Sequence, residues 1–394
     1  MPNDRVISGR KDIYMGIVLN DEQKELKELV GSFMKNEVKP QLGELDESGE
    51  FPAALYKKAF DLGFHCLDIP EAYGGSGLDY TTMGVLLEEI GYTDPGFAIT
   101  ILCTSLALKC VLIGGNEEQK QKVCDIIVPG GFGSFCLTEP GCGSDAVALR
   151  TTYRREGDDF VLNGTKCFVT NGQEAGVFIV FATKDRSLGA KGVSAFIVER
   201  GTAGLTVGKH ENKMGLRLSN TTDLALEEVR IPAGALLGEE GTGMHIALAG
   251  LDAGRLNNAA IATGICRSAL DAAVEYAKQR TSFGVPIIRH QAIQMMLADM
   301  AVQTEAAQLL VYNGMQLLDA GKRATKEASI AKTFCGDAAV SVAADAVQVL
   351  GGYGYSKEYP VEKMMRDSKI FQIFEGTNQI QRVVIARQLE KEAK

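Results

Sequence analysis

The chain has 394 residues, 45% of them hydrophobic, with 41 basic against 50 acidic side chains and a formal net charge of −9. That length and apolar content allow two or three domains with a large core and fit a globular enzyme. The charges are mixed without a long basic block, which speaks against nucleic acid or an anionic membrane as a partner, and the mild acidity serves solubility.

The first sixteen residues, MPNDRVISGRKDIYMG, are polar and lack the apolar centre of a secretory signal. No run in the chain approaches the ~18 apolar residues of a membrane span. From Asn20 the sequence DEQKELKELVGSFMKNEV offers an N-cap, acids in the first turn and apolar residues at Leu26, Leu29, Val30, Phe33 and Met34, which is helical spacing. Helical patterns continue through LYKKAFDLGF, TTMGVLLEEIGYT and AITILCTSLALKCVLI, broken by the glycine-rich turn YGGSG at Tyr73 to Gly77. Residues 1–131 are expected to form an α-helical domain.

The texture then changes. In FVLNGTKCFVT two β-prone runs meet at Asn163-Gly164, a strong hairpin signal, and GVFIVFATKD, GVSAFIVER and TTDLALEEVRIP follow as short strands. A compact β domain, a small barrel or sandwich, is expected over residues 132–245. After the loop GEEGTG the helical pattern returns over Met244 to Arg280, Gln291 to Ala320 and Lys326 to Leu350. With a final helix from Thr377, these predict an antiparallel four-helix bundle over residues 246–394. The fold class is α+β, in the order helical, β, helical.

Nine cysteines without a C-x-x-C pair read as reduced thiols and place the protein in the cytoplasm. His65, His210, His245 and His290 have no metal spacing, and no G-x-S-x-G elbow is present, so neither a metal centre nor acyl-enzyme chemistry is expected.

Five stretches have compositions that can carry chemistry, each with a plain structural alternative. LTEPGCGSDA, Leu137 to Ala146, offers glycines for close backbone approach and two hydroxyls, or is an ordinary Gly-Pro turn. It is not a Walker loop and lacks the G-x-G-x-x-G spacing. Phe168-Val169-Thr170-Asn171 reads equally as core plus surface on a strand. Arg280 in RTSFG, followed by His290-Gln291, suits a phosphate or a helix C-terminus. In QVLGGYG one glycine after Leu350 serves as a cap, but three glycines in four positions exceed that need. Glu375, in FQIFEGTNQIQR, is a surface acid near a helix start or a general base kept poorly solvated by Phe371, Ile373 and Phe374.

Taken together and in this order, YGGSG, LTEPGCGSD, FVTNG, RTSFG, QVLGGYGY and QIFEGTNQIQR resemble the acyl-CoA dehydrogenase family over roughly residues 17–390. The resemblance is strongest to the short-chain and butyryl-CoA dehydrogenase branch, because Glu375 stands in the late motif and Gly254 precedes Arg255. It implies a homotetramer with FAD at domain and subunit junctions. Phe135, Cys136, Leu137, Thr138, Gly143 and Ser144, with Phe168, Val169 and Thr170, would hold the flavin ring and ribityl chain. Arg280 and Gln291, joined by Gln348, Val349, Leu350, Gly351 and Gly352, would reach the FAD of a neighbouring subunit. Thr377, Asn378 and Gln379 would complete the flavin site. Ser144, Asp252, Ala253, Gly254, Arg255 and Gly376 would take the acyl-CoA.

On the same resemblance Glu375 is the catalytic base. It would remove the α-proton of an acyl-CoA thioester, short or unusual in its acyl group, while the β-hydrogen leaves as hydride to FAD. The backbone amide of Glu375 and a ribityl hydroxyl would hold the developing enolate oxygen, and electrons would pass to electron-transferring flavoprotein. An enoyl-CoA reductase running the reverse step in a complex with that flavoprotein is the alternative. A non-redox lyase or isomerase on the same fold is disfavoured by the retained base. Two positions depart from the family: Phe168 stands where many relatives have tryptophan, and Cys142 replaces a small residue in the flavin loop.

Overall fold

The computed structural model describes residues 13, 14 and 17–393. Residues 1–12, 15 and 16, on which the expected lack of a secretory signal rests, lie outside the described residues. The fold is mixed α+β, with a helical N-terminal, a middle β and a helical C-terminal segment. In chain order it starts with a short hairpin, β1 (Ile13–Tyr14) and β2 (Ile17–Val18). The helices α1 (Asp21–Phe33), α2 (Leu42–Ser48), α3 (Ala53–Asp61), α4 (Tyr80–Thr93), α5 (Pro95–Gly114) and α6 (Glu117–Ile127) follow. The strands β3 (Phe132–Cys136), β4 (Thr152–Glu156), β5 (Asp159–Thr170), β6 (Ala175–Thr183), β7 (Val193–Glu199), β8 (Leu205–His210), β9 (Thr221–Pro232) and β10 (Leu236–Leu237) come next. Then come α7 (Gly243–Gln279), a small hairpin of β11 (Thr281–Ser282) and β12 (Val285–Pro286), α8 (Gln291–Asp319), α9 (Thr325–Leu350), α10 (Val361–Ser368) and α11 (Asn378–Glu392).

The chain divides into two compact units. One joins the described part of Met1–Leu42 with Asp79–Pro95 and Arg255–Lys394, and the other holds Gly43–Leu78 and Gly96–Gly254. In the first, Asn20 starts α1 as the sequence predicts, accepting from the Gln23 amide at 2.8 Å while the Gln23 side chain accepts from the Asn20 amide at 3.1 Å. The crossing of α4 and α7 depends on Gly264, where a Cβ would lie 2.4 Å from the Glu88 carbonyl. At the same crossing the fully buried Glu88 carboxylate accepts from Gln308 at 2.6 Å, Tyr312 at 2.5 Å and Arg267 at 3.1 Å, so the buried charge is bonded on every side.

In the second unit the sheet runs β10-β7-β6-β4-β5-β9-β8, with β3 added in parallel to β6. Strand β6 is buried on both faces. Val177, Ile179 and Phe181 pack with α5 and α6, while Phe178, Val180 and Ala182 pack with Phe160, Leu162, Leu224 and Val229 of β5 and β9. A continuous apolar run therefore suits it better than an alternating one.

Three expectations are corrected here. Asn163-Gly164 is not a hairpin turn: β5 runs straight through it, and the true hairpin closes at Gly157-Asp158 between β4 and β5. Asn163 instead bonds Glu228 of β9, accepting from its amide at 2.8 Å and donating to its carboxylate at 2.7 Å, and Gly164 carries a bulge at φ +151°. The signal misleads because a bulge and a tight turn ask for the same residue types. Secondly, α10 stands between α9 and α11, where no helix is expected. Thirdly, α5 and the helical stretch from Thr325 to Tyr355 are long and apolar enough to cross a membrane, but most of the α5 window is buried in protein, as in a core helix.

A Cβ at Gly164 would lie 2.6 Å from the Thr151 Cα, in a backbone region that side chains avoid. Gly164→Ala should lower the urea unfolding free energy by about 1–3 kcal/mol.

Candidate active site

Glu375 lies between the short 3-10 turn Lys369–Gln372 and α11. It has φ +55° and Gly376 has φ +85°, two successive left-handed residues that the flanking helices must hold. Gln381, one turn into α11, donates to the Glu375 carbonyl at 3.1 Å and to the Gly376 carbonyl at 3.2 Å. Lys332 of α9 donates to the Gly376 carbonyl at 2.8 Å and to Asn378 Oδ1 at 3.0 Å. The Asn378 amide in turn donates to Asp337 at 2.9 Å, which also takes Gln372 at 2.7 Å and Arg382 at 2.7 Å. Thr377 caps α11 by accepting from the Ile380 amide.

The Glu375 side chain is half-buried, and its Oε2 is buried without a hydrogen-bond partner among the described residues. Asn258 of α7 donates to the carboxylate, and the positive charges of Arg255 and Lys332 face it. Burial raises the Glu375 pKa above the ordinary glutamate value, against the opposing pull of Arg255, Lys332 and Asn258. The expected apolar wall is only partly there. Phe371 is buried and meets Phe374 edge-on at 5.0 Å, but Ile373 is 49% exposed and shields nothing. Its place is taken by polar residues of α7 and α9 that no local pattern announces.

In the same unit a cavity of about 610 Å³ is lined by Tyr276, Arg280, Val349, Leu350, Gly351, Gly352 and their neighbours. The Arg280 guanidinium lies 5.7 Å from the centre of the Tyr353 ring. The glycines have separate duties: Gly351 ends α9 at φ +61°, Gly352 leaves open space, and a Cβ at Gly354 would lie 2.4 Å from the Val347 carbonyl. An open cavity beside a guanidinium and bare backbone suits one end of a dinucleotide. Gln291, the first residue of α8, and Gln348 are exposed and do not line it.

In the other unit the loop after β3 is stitched to β5. Glu139 accepts from the amides of Arg150 at 2.7 Å and Thr151 at 3.0 Å and from the fully buried Lys166 ammonium at 2.7 Å. Lys166 also donates to the Leu137 carbonyl at 3.2 Å, and the Cys167 amide to the Thr138 carbonyl at 2.9 Å. Burial pushes Glu139 up, but Lys166 and the donors from Thr151 and Arg150 together hold its carboxyl below the usual value. Beyond this clamp Gly143 and Ser144 are exposed. The Cys142 thiol is buried and donates to the Asp145 carbonyl at 2.9 Å, so it shapes the loop from inside.

Phe168 stands in a register shift of β5 at φ +54° and is 68% exposed, a large aromatic turned away from the core. Asn171, at φ +65° and fully buried, fixes the end of the strand by donating to the Thr100 carbonyl at 2.9 Å and to Thr104 at 3.1 Å. Phe135, Leu137, Thr138 and Thr170 are half-buried, while the side chains of Cys136 and Val169 are in the core and leave only main chain for a cofactor. Asp252, Ala253, Gly254 and Arg255 fall on α7 as four consecutive residues, all but Asp252 buried. Sequence reasoning missed Lys166, Lys332, Asp337 and Gln381, whose one local signal is a polar residue inside an apolar run.

Models of the acyl-CoA dehydrogenase N-terminal, middle and C-terminal domains match residues 20–130, 134–229 and 241–390. The chain is 44% identical to the short-chain specific acyl-CoA dehydrogenase, mitochondrial, of Bos taurus, over 96% of this chain and 92% of that one. It superposes on butyryl-CoA dehydrogenase from Megasphaera elsdenii with a TM-score of 0.93 and 42% identity, over 95% of this chain and 100% of that one. A chain solved in work on the electron transferring flavoprotein of Acidaminococcus fermentans and flavin-based electron bifurcation gives a TM-score of 0.93 at 43% identity, over 95% and 99% of the two. The protein belongs to the acyl-CoA dehydrogenase family, whose members are FAD-dependent oxidoreductases.

Removing one member of the Glu139–Lys166 pair strands a buried charge. Lys166→Met should destabilise the protein to urea by about 3–5 kcal/mol, with much of the loss recovered in Glu139→Gln/Lys166→Met. Because Glu139 is held below its ordinary range, its contribution should be present above that range and be lost as the pH falls beneath it.

Proposed function

We propose that the protein catalyses the α,β-dehydrogenation of a short-chain acyl-CoA, with Glu375 as the base that removes the α-proton and electron-transferring flavoprotein as the electron acceptor. The observation that carries this reading is the Glu375 carboxylate, kept from water with one oxygen unpartnered on a turn whose carbonyls are tied to Lys332 and Gln381. An unpartnered oxygen is free to take a proton, and burial makes it a stronger base than an exposed glutamate. In the helical unit Gly376 and Arg255 would accommodate the thioester; in the other unit Ser144, Asp252, Ala253 and Gly254 are the positions that the family likeness assigns to the acyl-CoA. The likeness to short-chain and butyryl-CoA dehydrogenases supports a small acyl group.

Bound FAD supplies the hydride acceptor. The residues fit it in each unit taken by itself: Phe168 offers an exposed ring, Thr138 and Ser144 offer hydroxyls beside open backbone at Gly143, and Arg280 faces a cavity with Gly351 and Gly352. Thr377 to Gln379 would add the start of α11. The reverse, enoyl-reducing direction is the second reading, supported by the likeness to the chain from the flavin-based electron bifurcation work. Both directions use the same base, and the potentials of substrate and partner decide between them.

A homotetramer is supported by Met295, Val302 and Leu309, exposed at seven-residue spacing along one face of α8. The nine cysteines, none of them in a C-x-x-C pair, support the cytoplasmic placement.

Anaerobic titration of the yellow protein with a panel of saturated acyl-CoAs should bleach the flavin, most readily with short chains; no bleaching by any of them would overturn the reading. Glu375→Gln should keep FAD and ligand binding but lose about 10²–10⁴-fold in flavin reduction. Since the base works only when ionised, kcat/KM should fall as the pH drops through the raised pKa of Glu375, with its acid limb above the ordinary glutamate range. In sedimentation, the native protein should run as a tetramer and Met295→Lys/Val302→Lys as a smaller species.

A further inference from the structure

Lys332 is 2% exposed, and long cationic side chains are almost never buried without an ion-pair partner. Its ammonium makes two bonds, both to neutral oxygens, at Gly376 and Asn378, and among the described residues it has no carboxylate within 4 Å. For packing alone, an apolar side chain of similar volume would serve α9 without the desolvation penalty. The negative charges it faces at longer range are Glu375 and Asp337, and Arg255 adds a second positive charge from α7. Burial pulls the Lys332 pKa down to about 8, with Arg255 acting in the same direction and Glu375 and Asp337 against it. At neutral pH it still carries a proton.

We infer that Lys332 is a positioning residue for Glu375: it holds the left-handed Glu375-Gly376 turn through the Gly376 carbonyl and supplies positive charge to the ionised base without bonding to it. The inference rests on the reading of Glu375 as the base. A direct ion pair would occupy the carboxylate oxygen that must accept the substrate proton, whereas a bond to the next carbonyl leaves Oε2 free. Among the described residues of this unit, the charged and polar groups that act on Glu375 or on the bonds holding its turn are Arg255 and Asn258 from α7, Lys332 and Asp337 from α9, Gln372 from the preceding turn, and Asn378, Gln381 and Arg382 from α11, with Arg382 neutralised by Asp337 at 2.7 Å.

The test compares Lys332→Met, Lys332→Gln and Glu375→Gln as FAD-loaded enzymes, following anaerobic flavin reduction by butyryl-CoA across pH. Lys332→Met should lose up to roughly 100-fold in reduction rate, because the turn is no longer held. Its acid limb should move to higher pH, because the cation that favours ionised Glu375 is gone. Lys332→Gln keeps a donor for the Gly376 carbonyl and should recover rate while keeping the displaced limb. Either Lys332 variant, loaded with FAD and showing the native limb position, would overturn the inference. If Lys332→Met does not take up FAD, the profile of Lys332→Gln decides. Near-native reduction by Glu375→Gln would remove the base reading and the inference with it; an inactive Glu375→Gln beside an unmoved limb in the lysine variants would sink the inference alone.

Discussion

A carboxylate proposed as a base must be kept from water yet not be given away to a cation, and both conflicting demands meet in the helical unit around Glu375. Burial raises its pKa, Arg255 and Lys332 pull it back, and the unpartnered oxygen stays available. Holding the conflict in place takes a network of bonds from α9 and α11 to main-chain oxygens on either side of the acid, rather than to the acid itself. The close approach of Gly336 on α9 to the Phe371 carbonyl, where a Cβ would stand 2.6 Å away, fixes the level at which that network meets the turn.

The same economy of strain recurs in the stretches proposed to meet a ligand. Among the described residues six non-glycine residues have positive φ, and four of them, Phe168, Asn171, Phe283 and Glu375, fall in the stretches FVTN, RTSFG and FEGT. Left-handed backbone is unfavourable for such residues and persists only where the surroundings over-determine it. Asn171 shows how: its side chain bonds a helix carbonyl and a threonine on α5, and the strand end cannot relax. The buried Glu139–Lys166 pair does the same for the loop after β3, tying its start at Leu137 and its end at Arg150 and Thr151 to strand β5.

Much of the fold was legible. The Asn20 cap, the long helices α7, α8 and α9 and the strands β6, β7 and β9 follow from local periodicity and end signals, and the structure places them within a residue or two of the predicted bounds, whereas β4, β8 and β10 carry too short a pattern to be read. Asn163-Gly164 was misread because a bulge stabilised by Glu228, sixty-five positions away, looks locally like a turn. The site was legible as motifs but not as geometry. Ile373 sits in an apolar run and is nonetheless exposed, while Lys332 sits in a helix as an ordinary lysine and is buried.

The sequence by itself determined the order of helical and β segments and which short stretches carry unusual glycines, hydroxyls and a lone acid, because those depend on neighbours within a turn or two. Only the tertiary structure decided which charges are buried together. Burial and ion pairing sum over groups from α7, α9 and α11 that are distant along the chain, so the environment that makes Glu375 more than a surface acid exists only once those helices are packed.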